Sequence, residues 1–560
     1  MEDLVLWAGQ ILAELFRRCK VAKIGFARDK IWAIGFARAK QSWRGPDVVF
    51  PDIVFDCPDM PEWHGFCLRV EKELKVLGIV LDKKLTWQAH VKYCTQKARK
   101  LLARLRVCVR TKWGLGRTVV QRLYKGAVEP VLLNGVAVWG AALKRKGVVK
   151  QLRSVQAMAA KAMTRCFKST RTEVALALAG LPPVDLVGKE VVVLQYTHGV
   201  MRRRVEALRE GCEWSPHLRF VRETLEEAGV DLQWTFERRM LDHELPYPPP
   251  RKAVKVTLGS REAWAEGLLE GARGGRIFTD GSKLEDGSVG AAFVAFNRRG
   301  REVGRGLYRL PHYCTVYQAE GLAQRESARW TKGPGRGGEW MVASDSLAVL
   351  ACLKSGRRMT RLVSEIAQEV EDRHSFVYIP GHQGHEGNEV ADQLAKEAAN
   401  AGIEVEVDVP RAFTRRLAKE RTWGVWAQEW RDLEHGSGMD MGEDKAYLRF
   451  APALEDIKEA VWKGGKAGGH RVLQLLSGHC NLAGYLHSRG KRDGAQCDNC
   501  GRGEREDVEH YLLHCPRWGA QRQEMSDLIV QNDAQASMAN MLKEVGRLAR
   551  FVRSTGRLDF

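Results

Sequence analysis

The chain has 560 residues, enough to bury more than one core, and its 89 Lys and Arg against 69 Asp and Glu leave a formal charge of +20. That surplus favours a polyanionic partner, either nucleic acid or an anionic membrane surface. The membrane reading is set aside: no apolar run approaches the roughly 20 residues that span a bilayer, and acids in MEDLVLWAGQ stand where a signal peptide carries basic residues. The 13 cysteines are odd in number and mostly scattered singly, which argues against a disulfide framework and for a reducing compartment. The expectation is a soluble intracellular protein, nuclear or cytoplasmic.

The first 70 residues hold a short near-duplication, KIGFARDK and AIGFARAK, too brief for a repeat array. VLGIVLD, ending at Asp82, and then Leu85-Thr86-Trp87 read as strands. Between Gln88 and Lys112 lies a helical pattern with eight Lys or Arg residues and no acid, with Leu101, Leu105 and Val109 along one face. More helices follow to about residue 235, until the proline-rich ELPYPPPRK interrupts them. Beyond it, the strand-like runs RIFT, VGAAFVAF, EVGRGLYRL, WMVAS and FVYI alternate with helical patterns near 316–331, 346–354, 360–372 and 388–399, which predicts a mixed α/β domain. A linker-like stretch near 401–412 leads to a basic helical region and a cysteine-containing module at 497–515.

Four acids sit at element ends within the α/β domain: Asp280 in FTDGS, Glu320 in YQAEGLA, Asp345 in ASDS and Asp392 in NEVADQLA. Taken singly, Asp280 reads as a turn residue, Asp345 as a helix cap and Asp392 as a solvated position beside Glu389 and Lys396. Taken together, gathered carboxylates repel one another and become tolerable when divalent cations bind among them. The turn PGHQGHEGNEVADQLA adds His382 and His385 but has no nearby thiolate, so hard oxygen ligands and Mg²⁺ or Mn²⁺ suit it better than zinc.

FTDGSK, YQAE, SDS and PGHQGHEGNEVADQLA, in that order, resemble a type 1 ribonuclease H domain. The resemblance implies an α/β fold with a mixed five-stranded sheet and flanking helices over 266–402. It also implies two Mg²⁺ (or Mn²⁺) ions on Asp280, Glu320, Asp345 and Asp392, a mobile catalytic His382, and backbone at Gly281 and Ser282 against the RNA strand of an RNA–DNA hybrid. His385 is read as a loop residue. LKVLGIVLDKKLTW, LYKGAVEPVLLNGVAVWG and RTEVALALAGLPP are similar to the C-terminal end of a non-LTR (LINE-type) retrotransposon reverse transcriptase. This implies a mainly α palm and thumb remnant over 1–240, followed by a proline-rich linker at 241–265. MEDLVLWAG resembles the strand of the polymerase's paired aspartates, with Glu2 and Asp3 at those places, and DNA synthesis is not expected.

Past the nuclease come a basic helical region (403–490), a zinc module (491–525) and a helical tail (526–560). Cys497-x₂-Cys500-x₉-His510-x₄-Cys515 has the spacing of a tetrahedral Zn²⁺ site, with His514 a rival ligand. A knuckle of this kind would grip single-stranded RNA or DNA, with Trp518 as a stacking surface. Three readings stay open: a hybrid-cutting nuclease, a decayed nucleic-acid-binding remnant, and a transposase or integrase on a related sheet.

Overall fold

The computed structural model describes residues 66–107, 116–209, 215–238, 254–258, 274–356, 359–381, 385–435, 453–463 and 469–558, with isolated positions elsewhere. Glu2, Asp3, Val109, His382 and most of the near-duplication lie outside the described residues. The chain divides into two compact units, one of residues 1–192, 215–221 and 420–560, the other of 193–214 and 222–419.

In the second unit, five apolar runs become strands β1 (Gly275–Lys283), β2 (Val289–Phe296), β3 (Glu302–Leu310), β4 (Trp340–Ser344) and β5 (His374–Tyr378). The helices are α1 (Val316–Trp330), α2 (Leu347–Ser355), α3 (Arg361–Glu369) and α4 (Glu386–Ala401). β3, β2 and β1 run antiparallel as a meander, and β4 and β5 then join β1 in parallel. The expected five strands form the centre of the sheet, which two-residue strands extend to seven: Ile403–Glu404 beside β3 and Val256–Thr257 beside β5. Val256 and Thr257 fall in the stretch expected to be linker; their backbone pairs with Phe376 and Val377.

Strand alternation divides the core. Ile277, Phe293, Val342 and Phe376 pack with Val349, Val363 and Ile366 of α2 and α3, while Phe278, Ala292, Val294 and Ala343 pack with Ala391, Leu394 and Ala395 of α4. Helix α1 starts at a capping box, in which Thr315 accepts from the Gln318 N–H and Gln318 accepts from the Thr315 N–H at 3.1 Å.

In the first unit, the run VLGIVLD folds back on itself as a hairpin, Glu73–Val76 against Ile79–Asp82. Leu77 and Gly78, both with positive φ, form its turn. Leu85-Thr86-Trp87 is not a strand, contrary to expectation: the Asp82 carboxylate accepts from the backbone N–H of Lys84, Thr86 and Trp87, and so closes a turn. The basic helix spans Gln88–Val107 and buries His90, Val91, Cys94, Ala98 and Leu102 while Lys92, Lys97, Arg99, Lys100 and Arg104 stay exposed. The apolar VLLNGVAVWGAAL is broken at Gly135 (φ +66), and Leu132, Val136 and Trp139 are buried in the unit's interior. No single helix among the described residues is long and apolar enough to cross a membrane.

The regions expected as separate modules after residue 420 share one core with the N-terminal helices. Val174, Ala177, Leu178 and Leu186 pack with Trp426, Trp430, Leu475, Tyr511, Leu548 and Phe551. Arg153 ties the same unit together by bridging Asp185 at 2.6 Å and Glu429 at 2.9 Å. The nine described cysteines are all free.

Candidate active site and metal centre

Two adjacent parallel strands set the first cluster. Thr279 of β1 is paired with Ser344 of β4, so Asp280, still within β1, and Asp345, just past the end of β4, lie at the same level. Glu320 arrives from the second turn of α1. Carboxylate oxygens of Asp280, Glu320 and Asp345 lie within 4.8 Å of one another. Asp280 thus belongs to a strand rather than a turn, and the N-cap of α2 is Ser346 rather than Asp345.

The close approach of α1 to β1 depends on Gly281. A Cβ there would lie 2.5 Å from the Glu320 nitrogen and 2.7 Å from the Ala319 Cβ, so only glycine lets the helix bring Glu320 over the strand. Gly381 plays a similar part across from β4, where a Cβ would lie 2.8 Å from Asp345 Oδ2.

Asp280 and Glu320 are both buried. Burial, then the charges of Asp345 and Asp392, push the Asp280 carboxyl up to about 6. Burial, then Asp280 and Asp345, hold Glu320 well above the usual carboxylate range, and its Oε2 has no hydrogen-bond partner. Like charges at such separations cost about 3 kcal/mol per pair at an effective dielectric near 20. A buried oxygen without a partner inside a cluster of acids fits a divalent cation, whose oxygen ligands would be these carboxylates.

Asp392 stands outside this group of three. Its Oδ2 accepts from Lys396 Nζ at 2.6 Å, one turn along α4. It is nevertheless near enough for its charge to act on Asp280. His385 is the N-cap residue of α4, and its carbonyl accepts from the N–H of Asn388 and Glu389. His385 does not join the described cluster, and His382 lies outside the described residues. Sequence reading missed two buried polar groups here: Gln324, which donates to Ser344 Oγ at 3.0 Å, and Asn388, whose Oδ1 is buried without a partner. Both sit at polar positions on helix faces otherwise filled by small apolar residues, which is the signal that could have found them.

The second cluster holds all four sequence-predicted ligands. Cys497, Cys500, His510 and Cys515 present donor atoms within 4.8 Å of one another. Cys497 Sγ is 3.9 Å from Cys515 Sγ, and Cys500 Sγ is 3.7 Å from His510 Nε2. Tetrahedral zinc with ordinary Zn–S and Zn–N bonds requires edges of ~3.8 and ~3.6 Å, so the donor set fits Zn²⁺. A tight hairpin makes the site: Cys497 N–H donates to Glu504 O and Glu506 N–H to Ala495 O, with Gly501 and Gly503 in left-handed conformations between them. Glu504 Oε2 lies 2.9 Å from His510 Nδ1 and so directs Nε2 toward the thiolates. His514 faces outward to Glu509 at 3.5 Å and is not part of the cluster.

Glu504, Glu506 and Arg557 were not singled out from the sequence. Glu506 is almost fully buried; it is bidentate to Arg557 at 2.8 and 2.5 Å and accepts from the Ala483 N–H at 2.7 Å. Trp518 is corrected: its ring is buried against Tyr511 in the core of the unit, 7 % exposed, and offers no stacking surface.

Comparison with known proteins matches residues 274–400 to the RNase H family. Those residues form a ribonuclease H domain. The chain is also similar to the Pol polyprotein of a type-1 retrotransposable element of Nasonia vitripennis, 32 % identical over 27 % of this chain and 40 % of that protein. It is similar to the RNA-directed DNA polymerase of the mobile element jockey of Drosophila melanogaster, 31 % identical over 21 % of this chain and 12 % of that protein. A probable RNA-directed DNA polymerase from transposon BS of the same fly is 30 % identical over 19 % of this chain and 11 % of that protein. The chain thus covers less than half the length of these relatives, and it resembles LINE-type retrotransposon polyproteins.

Proposed function

We propose that this chain is an endoribonuclease that cuts the RNA strand of an RNA–DNA hybrid, within a retrotransposon polyprotein that also grips nucleic acid through its zinc module. The observation that carries the reading is the triad of buried Asp280 and Glu320 with half-buried Asp345, gathered from two adjacent parallel strands and the helix over them. These residues, joined by Asp392, would hold two Mg²⁺ or Mn²⁺ ions. Bound there, the ions would supply a water of lowered pKa and charge for the leaving oxygen of an in-line displacement. Asp392 would join them by exchanging Lys396 for a cation. Backbone at Gly281 and Ser282 would follow the RNA strand, whose 2′-hydroxyls distinguish it from DNA. His382 would accept or return a proton beside the scissile phosphate. Cys497, Cys500, His510 and Cys515 would hold one structural Zn²⁺.

The test is cleavage by purified full-length protein of a labelled RNA–DNA hybrid, single-stranded RNA and duplex DNA, with Mg²⁺ or Mn²⁺. Only the hybrid should be cut, and Asp280→Asn or Asp345→Asn should lower the rate by roughly 100-fold or more, since each removes charge where the transition state needs it. Full activity in either variant removes the assignment, and a wild-type protein that binds but never cuts makes the chain a binding remnant.

A further inference from the structure

A cavity of about 510 Å³ lies within the second unit, and none of Asp280, Glu320, Asp345 and Asp392 lines it. Small-ligand sites have volumes of about 300–1,000 Å³. Its walls include Arg202, Arg209, Arg238 and Arg361, from separate stretches of chain, and the rings of Trp234 and Phe236.

The charge balance is positive. Two acids reach the lining, Glu365 and Asp408, but both are already engaged: Arg361 lies 3.0 Å from Glu365 and 4.0 Å from Asp408, and Arg325 lies 2.6 Å from Glu365. Arg209 Nε and Nη2 donate to the carbonyls of Leu232 and Trp234, which orients the guanidinium, and among the described residues no acid is paired with it. Arg238 has an exposed side chain and no ion pair with a described residue. The two aromatic rings are held from behind. Trp234 meets Tyr313 and Phe413 at 5.7 and 5.9 Å, and Phe236 meets His198 edge-on at 5.4 Å. His198 is itself fixed, with one ring nitrogen 3.1 Å from Glu237 O and the other 3.0 Å from Thr414 Oγ1.

Guanidinium groups recognise phosphate by charge and paired N–H donors, and a buttressed indole or phenyl ring offers a surface for a base. We propose that this cavity is a second nucleic-acid site, which seats one nucleotide unit with its phosphate on Arg202, Arg209 and Arg238 and its base against Trp234 or Phe236. No RNA–DNA duplex is needed for this contact, so the site takes a single strand. The strand and a free nucleotide share the recognising chemistry, and the strand is favoured because the arginines outnumber what one phosphate requires.

The experiment is photo-crosslinking of full-length protein to a twelve-residue oligothymidylate carrying one 5-iodouracil, in Ca²⁺ buffer, with peptides located by mass spectrometry. A second arm uses 5-iodo-dUMP alone. Adducts are expected on Trp234 or Phe236 with the strand, and they should fall at least tenfold in Arg202→Glu/Arg238→Glu but not in Arg299→Glu, a change in an exposed turn. The salt dependence of strand binding should also lose about 0.7 of log–log slope for each phosphate contact removed. Adducts with the mononucleotide as strong as with the strand would assign the cavity to free nucleotides instead. Adducts found only elsewhere, or unchanged in the double variant, overturn the proposal. Because the readout involves no hybrid and no cleavage, its failure is separate from failure of the nuclease assignment.

Discussion

Asp280, Glu320 and Asp345 come from a strand, the end of its neighbour and a helix of one sheet domain, whereas Cys497, Cys500, His510 and Cys515 lie in a single segment of hairpin and short helix. The carboxylates are held by a sheet that would stand without them, and their cost is charge repulsion under burial. The thiolate and imidazole donors are held by a short loop with little sheet of its own, and the surrounding unit must clamp it through Glu506 and Arg557. The difference predicts opposite responses to neutral replacement of a ligand. The carboxylate cluster should gain stability when a charge is removed, and the thiolate cluster should lose it.

The largest effect is expected at the second cluster. Cys500→Ser should abolish stoichiometric zinc and destabilise the first unit by several kcal/mol, because structural zinc contributes about 10–16 kcal/mol of apparent binding energy in small fingers. Metal analysis with thermal unfolding checks this, and one equivalent of zinc in the variant would show that the ligand set is wrong. Glu506→Ala leaves Arg557 buried beside the thiolates without its partner, and should cost about 3–5 kcal/mol in denaturant unfolding. A cost below 1 kcal/mol would mean that the clamp is not coupled to the core.

The first cluster should respond to pH in the other direction. The folded-state pKa of Asp280 is raised to about 6, so the stability it contributes is fully present below its ordinary value near 4 and is lost as pH rises to about 6. The two-unit shift corresponds to about 3 kcal/mol. Protein dialysed free of Mg²⁺ and Mn²⁺ should therefore lose stability across that window, Asp280→Asn should remove the loss, and added Mn²⁺ should offset it. A flat profile in wild type would show that the cluster is not strained.

The smallest of these effects sharpens the geometry. Gly281→Ala introduces a Cβ 2.5 Å from the Glu320 nitrogen, so α1 must shift, at a cost of about 1–3 kcal/mol. Hybrid cleavage should fall further than stability explains, since Glu320 moves with the helix. Unchanged kcat and Tm would show that β1 and α1 separate freely.

Much of this was legible from residues alone. The short apolar runs RIFT and VGAAFVAF, and four acids at the ends of apolar runs, specify the sheet and its chemistry because apolar runs of strand length are local properties. The donor spacing of Cys497 to Cys515 specifies its own site for the same reason, since a short loop has few ways to bring its ligands together. Tertiary structure decided the rest. It brought Asp280, Glu320 and Asp345 within reach of one another, gave Gly281 its packing role, and set Arg557 on Glu506 from the far end of the chain. It also buried Trp518 and gathered four arginines around Trp234 and Phe236. Each of these depends on which distant surfaces meet, and no local pattern of hydrophobicity or charge carries that information.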